Sequence, residues 1–158
     1  MGLKLVIGVI LILVVVGVLS YLFVMPILMK EVPRIVGESN EACPLWKNFT
    51  YYKKILLNYK NHNFTIYRCG LSSKGEMDAY VEELTSLAES QGANLFQVSF
   101  EDFQGYSHDL YRCEYCAPQE QSGALLQKDK LLILCSGYKT DETYTLNVCE
   151  WYIEVYLK

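Results

Sequence analysis

Histidine is scarce in this chain: two occur among 158 residues, His62 and His108. Neither stands in a metalloprotease or nucleophile-elbow pattern, and no phosphate-cradling glycine loop is present, so three common catalytic frameworks lack their local signature. His108-Asp109 sits in a polar stretch and reads as surface. Basic residues are also few. Beyond Lys30, 12 Lys plus Arg face 18 Asp plus Glu over 128 residues, a net charge of −6 with no basic stripe. Nucleic-acid binding rests on cations facing phosphates, and that class is excluded. No complete catalytic constellation can be named and no cofactor is implied.

Charge is missing altogether from Leu5 to Met29, 25 positions dominated by Val, Leu and Ile. A helix of that length, at roughly 1.5 Å per residue, would span the ~30 Å hydrocarbon core, so residues 1–30 are expected to be a transmembrane anchor contacting the membrane through residues 5–29. A cleaved signal peptide is the competing reading, with Lys4 as its basic start and Val18-Leu19-Ser20 as its cleavage site. The apolar run exceeds an h-region of ~7–15 residues, and cleavage would strand an apolar tail from Tyr21 to Met29. Both points favour an uncleaved, single-pass signal anchor.

What the chain does have is cysteine: Cys43, Cys69, Cys113, Cys116, Cys135 and Cys149, all beyond the anchor and even in number. Oxidised pairs persist outside reducing compartments. Lys30 and Arg34 slightly favour a cytoplasmic C-terminus, but the cysteines outweigh them and place the domain on the extracytoplasmic side. The sequons at Asn48 and Asn63 point the same way, as glycosylation sites of a glycoprotein. An intracellular domain with reduced or metal-bound cysteines is the alternative.

Residues 31–42 mix Pro, Gly and charge and read as a juxtamembrane linker, leaving 43–158 as one domain. From Pro44, the residues Leu45, Phe49, Tyr52, Leu56 and Tyr59 recur at helical spacing. The same segment is rich in strand-favouring aromatics, and Asn48–Lys53 echoes Asn63–Arg68, so a strand there is equally open. Phe64 to Cys69 reads as a strand, and Ser73-Lys74-Gly75-Glu76 as a capping box opening a helix. Met77, Tyr80, Val81, Leu84, Leu87 and Ala88 form the apolar stripe of that helix, and Gly92 ends it. Leu95 to Phe100 follows as a strand, which predicts a parallel βαβ unit. Residues 101–123 read as a long loop, and Leu131 to Cys135, apolar on both faces, as a central strand.

Cys149, Trp151, Ile153, Val155 and Leu157 alternate with polar or tyrosine positions and predict a closing strand with Tyr152 and Tyr156 facing outward. Folding residues 131–137 onto 145–157 about Glu142 sets Cys135 opposite Cys149, Ile133 opposite Trp151 and Leu131 opposite Ile153. The expected fold is therefore α/β or α+β: an N-terminal transmembrane helix, then one small mixed-sheet domain with a βαβ unit and a C-terminal β-hairpin that carries a Cys135–Cys149 disulfide.

The order strand, helix, strand, connection, strand, strand over roughly residues 63–157, with Cys69-Gly70-Leu71-Ser72 at the first strand-to-helix turn, resembles the thioredoxin-like superfamily. The resemblance implies a thiol-redox protein in which Cys69 is the nucleophile and Ser72 stands in place of a resolving cysteine. Apart from it, Cys69 reads as half of a structural disulfide such as Cys43–Cys69. Cys113-Glu114-Tyr115-Cys116 has the Cys-x-x-Cys spacing of redox pairs and of zinc knuckles. Zinc would draw on His108, Cys113, Cys116 and Cys135 or Cys149, while structural disulfides explain the same residues more simply. Thirteen tyrosines, a residue common at interfaces, favour a binding or assembly module with protein partners, a subunit of a larger membrane or surface complex, over an enzyme.

Overall fold

The computed structural model describes residues 12–22, 31–45, 47–96, 103–113, 121–140 and 142–157, with backbone alone for 94–96, 107–113 and 142. The chain divides into two compact units, Met1–Val32 and Pro33–Lys158. In the first, residues 12–22 form helix α1, and each is exposed. The rest of the expected span, 5–11 and 23–29, lies outside the described residues. Among the described residues no helix is long and apolar enough to cross a membrane, which corrects the expected transmembrane helix.

The second unit is built on one sheet. In chain order its elements are β1 (Arg34–Ser39), β2 (Tyr51–Tyr59), β3 (His62–Gly70), α2 (Lys74–Ser90), β4 (Asn94–Phe96), β5 (Ser107–Cys113), β6 (Gln121–Lys128), β7 (Leu131–Tyr138) and α3 (Glu142–Tyr156). The seven strands lie in the order β1-β2-β3-β7-β6-β5-β4, and every neighbouring pair is antiparallel. The expected mixed sheet is thus corrected to an antiparallel one. Residues 31–42, read as a linker, supply the edge strand β1, with a bulge between Ile35 and Gly37.

The predicted parallel pair of a βαβ unit does not form, because both edges of β3 are already taken. On one side Lys60 and Asn61, at φ 49° and 63°, make the two-residue turn that folds β2 back onto β3. On the other side β7 pairs with β3 from Phe64–Gly137 to Gly70–Leu131. Four successive antiparallel pairings separate β3 from β4, so the two run in the same direction without touching. Positions 97–100 of the predicted strand lie outside the described residues. Residues 107–113 and 121–123, read as loop, belong to β5 and β6, and β6 joins β7 through Asp129 and Lys130 in a tight hairpin.

The C-terminal hairpin is corrected as well, since residues 142–156 are helix α3. Thr145, Leu146, Val148, Cys149, Tyr152 and Ile153 are buried, a helical rather than an alternating set. Tyr152, expected to face outward, is 3% exposed.

Helices α2 and α3 pack on opposite faces of the sheet, giving three layers. Alternation along each strand splits the core accordingly. Ile55, Leu57, Phe64, Ile66, Ala124, Leu126, Ile133 and Cys135 pack with α3. Cys69, Leu125, Leu132 and Leu134 pack with Met77, Tyr80 and Leu84 of α2. β7 sits in the middle of the strand order and is apolar on both sides. Ser73 caps α2, its hydroxyl accepting from the Glu76 amide at 3.2 Å, and Gly92 follows the helix at φ 87°.

Candidate functional site

Four cysteines stand in two pairs at disulfide distance, one on each face of the sheet. Cys69, on the α2 face of β3 and 0% exposed, pairs with Cys43 at a Cα–Cα distance of 6.3 Å. Cys135, on the α3 face of β7, pairs with Cys149 of α3 at 6.0 Å. The latter pairing matches the one expected from the sequence, but its geometry does not. Cys149 reaches β7 from a helix lying over the sheet, not from a neighbouring strand.

Cys69 does lie where β3 turns toward α2, and Ser72 follows three residues later. The Ser72 hydroxyl donates to Glu76 Oε2 at 2.5 Å and stays exposed, while Cys69 is sealed beneath α2. His108 and Cys113 are on β5 with side chains undescribed, and Cys116 lies outside the described residues. Among the described residues no three His, Cys, Asp or Glu gather as metal ligands. Asn48 is exposed in the segment before β2. Asn63, exposed on the α2 face of β3, accepts from Asn58 Nδ2 at 3.1 Å.

Two places could hold a ligand. A cleft of about 390 Å³ opens beside the start of α2, lined by Lys47, Asn48, Leu71, Ser72, Glu76 and Tyr80 among others. Its polar groups are largely bonded to one another. Lys47 bridges Glu83 at 2.5 Å, Ser72 holds Glu76, and the Tyr80 hydroxyl donates to the Pro44 carbonyl at 2.6 Å. Burial pushes the Tyr80 phenol far above its ordinary value.

The second place lies on the α3 face, where the sequence pointed to Tyr152 and Tyr156 but not to Arg68. Arg68 occupies the same strand parity as Phe64 and Ile66, so β3 delivers a cation to the face that otherwise carries core. Its guanidinium lies 4.8 Å from the Tyr51 ring centroid, and its Nε is buried without a hydrogen-bond partner. Among the described residues no carboxylate forms an ion pair with Arg68. The neighbouring cation, Lys53, is already bridged to Glu38.

Tyrosines close around it. Tyr152 lies near Arg68; burial raises its phenol, and the nearby guanidinium offsets part of that rise. Tyr106, 5% exposed, feels the same opposition of burial and Arg68. From Tyr152 an aromatic chain runs outward, stacking on Tyr156 at 5.4 Å, with Trp151 edge-on to Tyr156 at 5.6 Å. Tyr51 and Tyr156 are both exposed. The sequence did hold a clue: a charged residue in phase with Phe64 and Ile66 marks a position whose environment cannot be purely apolar.

Compared with protein-family models, with curated proteins and with solved structures, the chain matches none.

Proposed function

We propose that this protein is a membrane-tethered, extracytoplasmic binding module that docks a protein partner through the tyrosine-ringed Arg68 surface. The membrane association is proposed from the uncharged composition of segment 5–29, not from a transmembrane helix. The two cysteine pairs fit an oxidising compartment. The observation that carries the reading is the composition of the α3-face cluster. Arg, Tyr and Trp are the residues that dominate interface hot spots, and here Arg68, Tyr51, Tyr156 and Trp151 fall together. Both sequons lie away from it: Asn63 is on the α2 face and Asn48 lines the α2 cleft. Glycans there would leave the α3 face clear.

Pull-down of the full chain from gently solubilised membranes should recover a protein partner, and Tyr156→Ala should reduce that recovery. Recovery of the isolated chain alone under several detergents would overturn the reading. Thiol-exchange activity lost on alkylating Cys69 would instead favour the thioredoxin-like alternative.

A further inference from the structure

We infer that Arg68 is the anchor of a carboxylate-binding site, so that the partner is recognised through an acidic side chain or a free C-terminus. The inference rests on the binding-module reading above and adds the chemistry of its ligand. A guanidinium is a rigid fork of N–H donors that loses much hydration when walled by rings, and such a charge is normally met by an oxyanion. Here the fold supplies the walls, Tyr51 against the guanidinium and Tyr152 and Tyr106 beside it, and among the described residues no carboxylate is paired with it. Its Nε is buried and has no partner among the described residues, so those groups do not saturate it.

Charge count selects the class of anion. Lys53 is bridged to Glu38, and Lys128 is turned to the Gln104 carbonyl at 2.9 Å and the Tyr106 ring. Among the described residues one cation of the cluster, Arg68, has no carboxylate partner, and it matches one negative charge. A phosphate, carrying close to two, would meet a single cation on a domain whose net charge beyond Lys30 is −6. The rings add a flat apolar rim on which the residues flanking a carboxylate can rest.

The test is a titration of the full chain in detergent micelles, followed by amide NMR shifts. The probes are three blocked tripeptides and inorganic phosphate. One peptide carries a glutamate, one carries a glutamine and a free C-terminal carboxylate, and one is the glutamine peptide with both ends blocked. Saturable shifts centred on Tyr51, Arg68 and Tyr152 are expected from at least one carboxylate peptide, and the responding arm identifies the source. Arg68→Gln should weaken that response about tenfold or more, the loss expected for a charge-assisted hydrogen bond. Arg68→Lys, which keeps the charge and loses the fork, should fall between the two and covers the case in which Arg68→Gln does not fold. An equal response from the neutral peptide, tighter binding of phosphate, or a response that survives Arg68→Gln would overturn the site. A partner recovered equally by wild type and Arg68→Gln would sink this inference alone and leave the binding module standing.

Discussion

A Cβ on Gly137 would fall 2.8 Å from the Phe64 ring and 2.9 Å from the Thr145 hydroxyl, with the Thr140 hydroxyl closer still. The space it leaves is filled by a buried hydroxyl trio, Ser122 to Thr140 at 2.9 Å, Ser122 to Thr145 at 2.6 Å and Thr140 to Thr145 at 3.2 Å. These bonds join the start of β6 to the start of α3, where a lone hydroxyl would be costly to bury. Gly137→Ala is therefore expected to lower stability by about 1–3 kcal/mol in urea unfolding, the usual cost of overpacking. No measurable loss would mean that the trio has room to move.

The buried phenols make a second prediction. Burial is the main cause that raises Tyr80, Tyr106 and Tyr152. Their folded values therefore lie above the unfolded value of about 10, and the folded state holds their protons more tightly. The associated stability is fully present below pH ~10 and is lost as pH rises through the folded values. Denaturation midpoints should stay level up to about pH 10 and then fall, with tyrosinate absorbance rising as the chain unfolds. Titration of every tyrosine near pH 10 with the fold intact would contradict this.

Among the elements, α2 was legible because each local cue agreed: Ser73 as cap, the Met77-Tyr80-Leu84 stripe, and Gly92 as stop. α3 was not. Its buried set, at positions 145, 146, 148, 149, 152 and 153, has helical period. Cys149, Trp151, Ile153, Val155 and Leu157 happen to alternate through the same stretch, and their types favour strands. The sheet decided between the periods, because β3, β6 and β7 expose Phe64, Ala124 and Ile133 on one face and need a helix over them. The β2–β3 hairpin was hidden for another reason: Lys60-Asn61 is an uncommon carrier of two positive φ angles. β5 and β6 hold few of the alternating large apolar residues that mark a strand, and Ser122 and Gly123 are buried in β6 all the same.

At the scale of the molecule, the described cysteine pairs staple the antiparallel sheet on both faces. Cys43 ties the segment before β2 to β3 beneath α2, and Cys149 ties α3 to β7. In the chain-entropy description, pairs 26 and 14 residues apart contribute about 3–4 kcal/mol each by restricting the unfolded chain. Both pairings depend on the observed layers. Cys43 meets Cys69 because the chain crosses the α2 face before entering β2, and Cys149 meets Cys135 because α3 returns over the sheet. A layered domain with one cysteine pair at disulfide distance on each face is the centre of this account, and the extracytoplasmic placement is proposed from it. Its most direct test is a peptide map of the full chain under non-reducing conditions. Cys43 joined to Cys69 and Cys135 joined to Cys149 is the predicted result. Free thiols at these four positions, or Cys149 joined to Cys43 or Cys69, would contradict it.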